Sequence, residues 1–294
     1  MSGAEGGAHG EATAGRGAGA GTDGCAVGRN AEADTDGGAG TDGCAVGRNA
    51  EADTDGGADA DKGLVSTTSG AGAAREATSA SPGWTGAVGE PTRLLLLRHG
   101  QTPMSADRRY SGSTSNPSLT DFGRRQARAA AERLALGDWD ISGIIASPLA
   151  RALETAEYAS AELGLDIRVD DDLRETDFGT WEGLTFGEAA ARDADIHSRW
   201  LTDPELSPPG GEAFRAVDDR VARARRRIAE QYGTGTFLVV SHVTPVKALL
   251  RQGIGCGFEL FTRLHLDLAS LSVAEFYADG PSSVTLVNDT AHLR

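Results

Sequence analysis

Cysteine is scarce in this chain: Cys25, Cys44 and Cys256 are the only three among 294 residues, and none forms a CxxC pair. So sparse and odd a count supplies no disulfide scaffold and fits a reducing compartment. Long apolar runs are missing too. The longest unbroken leucine stretch, Leu94 to Leu97, is far too short to span a bilayer, and the opening MSGAEGGAHGEATAG has no apolar centre of a secretory signal. A cytoplasmic protein with no membrane partner is expected. Residues 1–90 contain one aromatic, Trp84, and one leucine, Leu64, while holding 23 of the 40 glycines. Such a stretch cannot bury enough apolar surface to offset the entropy of ordering its backbone. Residues 1–91 are therefore expected to be a disordered Gly/Ala/Asp-rich tail, and residues 92–294 one domain. Positive charge is short as well. The net charge is −15, of which −9 lies in residues 1–91, so the tail is no nucleic-acid binder, and no nucleic-acid partner is expected of the domain.

The tail does carry a pattern. GTDGCAVGRNAEADTDGGA begins at Gly21 and recurs letter for letter at Gly40, a 19-residue period. A unit with almost no apolar side chains cannot stack into a solenoid. Cys25 and Cys44 are equivalent positions of that repeat, which makes them poor metal ligands.

From Thr92 onward, apolar runs alternate with helical patterns. RLLLL up to Leu97, GIIA over Gly143 to Ala146, IRV over Ile167 to Val169 and TFLVV over Thr236 to Val240 predict strands. Thr120 caps a predicted helix, and further helices are predicted over Leu149 to Leu163, Phe214 to Tyr232 and from Val246 to Leu250. Leu271 to Tyr277 and Val284 to Val287 flank Asp279-Gly280-Pro281 and predict a hairpin. The fold expected is α/β: a three-layer α/β/α sandwich around a mixed, mostly parallel sheet.

Two of the strands end alike, in Arg98-His99-Gly100 and in Ser241-His242. Ligands of open α/β sheets bind at the carboxyl ends of strands, so the two histidines are expected to face one crevice. Arg98 and Arg151 offer planar forks that match phosphoryl oxygens. A neutral imidazole is a competent nucleophile toward phosphorus, a second can steady its oxygens, and Glu175 can hand a proton to the leaving group. Two histidines, two arginines and one glutamate make a complete set for phosphoryl transfer. No cofactor and no metal are expected.

These residues stand in blocks that resemble the histidine phosphatase superfamily, the phosphoglycerate-mutase-like fold. Arg98-His99-Gly100-Gln101-Thr102 resembles its RHGxT signature, and Leu119-Thr120-Asp121-Phe122-Gly123-Arg124-Arg125-Gln126-Ala127 its LTxxGxxQA segment. Ser147-Pro148-Leu149-Ala150-Arg151-Ala152-Leu153-Glu154-Thr155-Ala156 resembles SPLxRAxxTA. The run from Leu173 to Gly183 resembles LxExxFGxWEG, and Val239 to His242 the last catalytic strand. Within the family, the chain resembles the C-terminal phosphatase domain of actinobacterial bifunctional ribonuclease H/acid phosphatases, a group related to α-ribazole phosphatase. No ribonuclease H pattern is found in residues 1–90, which resemble a linker.

The resemblance implies a phosphomonoester hydrolase acting through a phosphohistidine on a small phosphorylated metabolite. His99 would be the nucleophile, Arg98, Arg151 and His242 the phosphoryl clamp with Thr102 as an additional substrate contact, and Glu175 the general acid and base. The chain departs from the common pattern at Ser105 and Val243, both expected at the pocket rim. A phosphoglycerate mutase is the alternative enzyme, although mutases carry ERxYGxLxG where this chain has Glu175 to Gly183. A non-catalytic phospholigand-binding module is the alternative outside enzymes. Elsewhere, Arg108 and Arg109 form a solvated pair or reach a second anionic group. Glu182 touches the pocket or bonds its own loop. His197 and His265 serve packing or surface, and His292 and the Arg223, Arg225, Arg226, Arg227 group are expected to be solvated.

Overall fold

The computed structural model describes residues 86–294. The expected tail, save residues 86–91, its repeat, Cys25 and Cys44 lie outside the described residues. Six strands, β1 (Thr92–Arg98), β2 (Ile141–Ala146), β3 (Ile167–Val169), β4 (Gly235–Ser241), β5 (Leu271–Phe276) and β6 (Ser282–Asp289), form one sheet in the order β3-β2-β4-β1-β5-β6. The first four run parallel; β5 is antiparallel to β1, and β6 to β5. The helices are α1 (Pro103–Ala106), α2 (Asp121–Leu136), α3 (Ala150–Leu163), α4 (Phe186–Arg192), α5 (Ala194–Trp200), α6 (Phe214–Tyr232), α7 (Val243–Ile254) and α8 (Leu260–Arg263). Among the described residues no helix is long and apolar enough to cross a membrane.

The leucine run explains the layering. Leu94 to Leu97 are all buried, and a strand buries consecutive residues only where both its faces are covered. The pleat sends Leu94 and Leu96 into one apolar cluster, with Val217 and Val221 of α6 and Val246 and Leu249 of α7. It sends Leu95 and Leu97 into another, with Ala130 and Leu134 of α2 and Ala152 and Ala156 of α3. In β4, Phe237 and Val239 join the first cluster, and Leu238 and Val240 the second. The result is the expected three-layer α/β/α sandwich. Each buried leucine contributes about 1.5–3 kcal/mol relative to exposure, so the two central strands anchor the domain.

Two expectations about exposed residues need correction. His292 is half-buried, and its Nε2 lies 2.9 Å from the Ala269 carbonyl, because the 3₁₀ turn Ala291–Leu293 folds back against α2. The arginines of α6 are not simply solvated. Arg227 grips Asp170 through two bonds from Nη2, 2.6 and 2.8 Å, and also reaches Asp172, which Arg223 meets from the next turn. Arg225 lies over the Phe276 ring. The helix runs beside the acidic segment Asp170 to Asp172, so basic residues that look like a free patch in sequence have partners far along the chain.

Residues 99–101 are pinned by backbone. The Gly100 amide donates to Thr155 Oγ1, and the Gln101 amide to the Gln126 side chain. Gly100 lies directly against the Gly123 backbone at the start of α2, so an added Cβ would overlap the Gly123 carbonyl oxygen. Since backbone on both sides must yield, Gly100→Ala should cost about 1–3 kcal/mol of stability in urea unfolding. A loss within measurement error would show that α2 shifts freely.

Candidate active site

Strand register assembles the centre. Arg98 of β1 pairs with Ser241 of β4, and Ala146 of β2 with Val240. The hydrogen bonds continue one step beyond the strands: His99 N–H donates to the Ser241 carbonyl (2.9 Å) and Ser147 N–H to the Val240 carbonyl (3.0 Å). Ser147, His242 and His99 therefore sit side by side at three parallel carboxyl ends. The two imidazoles lie 5.1 Å apart between ring centres, tilted by 57°.

Hydrogen bonds fix both rings. His99 Nδ1 is 2.7 Å from the Gly100 carbonyl, which can only accept. The proton is thus on Nδ1, and Nε2 keeps its lone pair. His242 Nε2 lies 2.7 Å from Ser147 Oγ, and that oxygen accepts the Leu149 amide at 3.3 Å. A serine oxygen that accepts this amide keeps a second lone pair and its own hydrogen, so it can donate to Nε2, the arrangement in which the His242 proton is on Nδ1. Burial pushes the His99 pKa well below 6.5, helped by the charges of Arg151 and Arg98. His242 is pushed the same way by burial, then by Arg151 and His99. Both rings are neutral at pH 7.

The remaining expected residues arrive from four directions. Arg98, at the end of β1, donates from Nη1 to the Leu266 carbonyl (2.6 Å), and desolvation lowers its pKa to about 10, which leaves it charged. Arg151, fully buried in the first turn of α3, donates to the carbonyls of Ser111, Gly112 and Ser115, each at 3.1 Å. Glu175 follows the 3₁₀ turn Asp171–Leu173 and accepts the Thr176 amide (2.8 Å). Thr102 caps α1: its hydroxyl accepts the Ser105 amide, and Ser105 Oγ accepts the Thr102 amide.

Arg98, His99, Thr102 and Glu175 line one cavity of about 510 Å³, with Arg108, Arg109 and Tyr110 around it. His242 and Arg151 do not line it in this structure; both are fully buried, His242 against His99. Eight buried side-chain nitrogen or oxygen atoms among the described residues have no partner. Three of them are Arg98 Nε, Arg151 Nε and His242 Nδ1. Buried polar atoms are nearly always bonded, so three orphans on neighbouring site residues are unusual. Among the described residues no group of three or more His, Cys, Asp or Glu could hold a metal ion.

Glu182 holds a loop 70 positions back in the chain rather than its own: Oε1 accepts the amides of Gly112 (2.7 Å) and Ser115 (3.2 Å). Arg151 holds the same loop by its carbonyls. His197 is buried, with Nε2 3.1 Å from the Tyr110 hydroxyl, and His265 is exposed beside Asp267. Sequence reasoning missed two supporting residues. Ser147 orients His242. Arg220 of α6 donates to the carbonyls of Asp172, Arg174 and Glu175 and is itself paired with Glu212, so it holds the backbone that carries Glu175. Its signal was available: Arg220 falls within the apolar stripe Phe214, Val217, Val221, Ala224, Ile228, where an unpaired arginine would be costly.

The comparisons fit this geometry. The family described as histidine phosphatase superfamily (branch 1) matches residues 94–290. The bifunctional protein Rv2228c of Mycobacterium tuberculosis is 60% identical over 213 residues, which is 72% of this chain; the chain spans 58% of that relative's length. The solved α-ribazole phosphatase from Shigella flexneri is 29% identical with a TM-score of 0.59, over 67% of this chain and 96% of its own. Mycobacterial glucosyl-3-phosphoglycerate phosphatase Rv2419c is 28% identical with a TM-score of 0.60, over 68% of this chain and all of its own.

Ser147→Ala should release the His242 proton from Nδ1 toward Nε2. Imidazole nitrogen shifts report the tautomer; an unchanged pattern would show that Ser147 does not set it.

Proposed function

The chain belongs to the histidine phosphatase superfamily (branch 1), and we propose that it hydrolyses phosphomonoesters of small metabolites through a phosphohistidine on His99. Phosphatases among the relatives of this chain support that reading. What carries it is the set of three buried donors without partners, on Arg98, Arg151 and His242, beside an imidazole whose Nε2 lone pair is free. A phosphoryl group brings the oxygens those donors lack.

In the first step the His99 Nε2–phosphorus bond forms as the ester P–O bond breaks. Arg98, Arg151 and His242 Nδ1–H hold the non-bridging oxygens, and the Glu175 carboxyl delivers its proton to the departing oxygen. In the second, Glu175 takes a proton from water, whose oxygen attacks phosphorus, and the P–N electron pair returns to Nε2. Nδ1–H stays on the Gly100 carbonyl throughout, so the ring need not turn. Thr102 acts by capping α1 and shaping the wall. No metal takes part in this scheme. The depressed His99 pKa keeps the nucleophile unprotonated below pH 6.5, which supports an acid phosphatase. Kinship with α-ribazole phosphatase makes α-ribazole phosphate the first ester to assay, beside 3-phosphoglycerate and sugar phosphates.

Two measurements test the reading. Rapid quenching with labelled substrate in the presence of a chelator should trap acid-labile, base-stable phosphate on His99, and His99→Ala should abolish both label and turnover. Label on a serine or aspartate would reassign the nucleophile. Glu175→Gln cannot donate the proton. In single-turnover bursts it should slow an alkyl phosphate about 10²–10⁴-fold, and p-nitrophenyl phosphate, with its good leaving group, far less. Equal losses would remove Glu175 as the leaving-group acid.

A further inference from the structure

A second cavity adjoins the first. It has a volume of about 400 Å³ and shares Tyr110, Phe178 and Val243 with the cavity that holds His99 and Glu175. Its walls are aromatic, with Phe186, Trp200, Phe214 and Phe261 facing it beside Tyr110 and Phe178. Lys247 of α7 is the one cation on this wall. It is also the single lysine in residues 86–294, where every other non-histidine cation is arginine.

Lys247 is poorly compensated. Its Nζ donates to the Phe261 carbonyl (2.7 Å), and no carboxylate lies within ion-pair distance among the described residues. An ammonium has three donors and no acceptor, so two N–H bonds remain for something other than that carbonyl. The setting penalises the unpaired charge: burial foremost, then repulsion from Arg98, lowers the pKa to about 8, while Glu175 opposes the shift. Lys247 thus remains a cation at pH 7 and lies within electrostatic reach of the residue assigned to the leaving group. Arginine would need several coplanar acceptors at this place; lysine is a point charge on an apolar stem that can lie along aromatic walls.

We infer that this second cavity is the leaving-group subsite, and that Lys247 selects esters whose leaving group has an apolar, ring-sized body bearing a carboxylate. The inference rests on the phosphatase reading for the position of the ester bond. It adds the chemical class of what departs. The shared wall of Tyr110, Phe178 and Val243 lets one molecule occupy both cavities, with Glu175 at the ester oxygen between them. A carboxylate would supply the negative charge that Lys247 lacks, and the rings would take the body out of water.

The test pairs phenyl phosphate with 4-carboxyphenyl phosphate in the wild type, Lys247→Met and Lys247→Arg. The wild type should favour the carboxylated ester by about tenfold or more in kcat/KM, roughly the value of one desolvated charge-assisted hydrogen bond. Lys247→Met should abolish the preference, lowering kcat/KM for 4-carboxyphenyl phosphate about tenfold more than for phenyl phosphate; Lys247→Arg should keep part of it. A preference that survives in a folded Lys247→Met would overturn the inference, as would none in the wild type. A binding arm needs no turnover. In calorimetry with inorganic phosphate present, 4-hydroxybenzoate should bind the wild type about tenfold more tightly than phenol, and Lys247→Met should lose that difference. Equal binding of the two to the wild type would overturn the subsite assignment even if neither ester is cleaved. Absence of turnover with the binding difference intact would count against the phosphatase reading alone.

Discussion

The parallel pairing of β1 with β4 is the constraint on which the site depends. In-register hydrogen bonds from Thr92↔Gly235 to Arg98↔Ser241 bring two chain segments separated by more than a hundred residues to end at one level. One step beyond that level the chain places two histidines, and β2 adds Ser147 beside them. Side chains alternate across a sheet, so a slip of one residue would exchange the two apolar clusters and turn every buried leucine to the wrong layer. The burial of Leu94 to Leu97 thus protects the register, and the register protects the meeting of His99 and His242.

Around that pair, charge is handled by backbone as much as by side chains. Arg151 holds three carbonyls of the loop Ser111 to Ser115, and Glu182 holds two of its amides, so one short segment is gripped from both polar sides. Arg220 does the same for the segment carrying Glu175. The Arg151 guanidinium is therefore a brace for the loop Ser111 to Ser115, and its Nε is left without a partner by that structural task.

Much of this was legible in the sequence, for physical reasons that differ by region. The central strands announced themselves because residues buried on two faces must be continuously apolar. The helices Phe214–Tyr232 and Ala150–Leu163 were readable from their stripes, and the cap at Thr120 from its place before Asp121. The short helices α4, α5 and α8 and the aromatic cluster they build were not, because their rings come from scattered short segments. Arg98, His99, Glu175 and Thr102 line one cavity, whereas Arg151 and His242 sit behind its wall. Ser147 was invisible as a partner because a hydrogen bond across 95 positions leaves no local trace; Arg220 was marked by its place in an apolar stripe, but nothing local told which carbonyl it holds 45 positions away. The same holds for Arg223 and Arg227, whose acids lie about fifty positions away.

Gly100 follows the nucleophile, and a glycine in such a place suggests a hinge. Its surroundings say the reverse. With the backbone of Gly123 pressed against it, and the amides on either side of its carbonyl tied to Thr155 and Gln126, the missing side chain permits contact rather than motion. Main chain touching main chain has no rotamers to spend and no soft atoms to compress. The carbonyl that fixes the His99 tautomer belongs to this same residue, so the glycine works as a stiffener. Any adjustment to ligands of different shape must come from the outer walls, where Tyr110, Phe178 and Val243 stand, and the reacting nitrogen remains the fixed point against which they move.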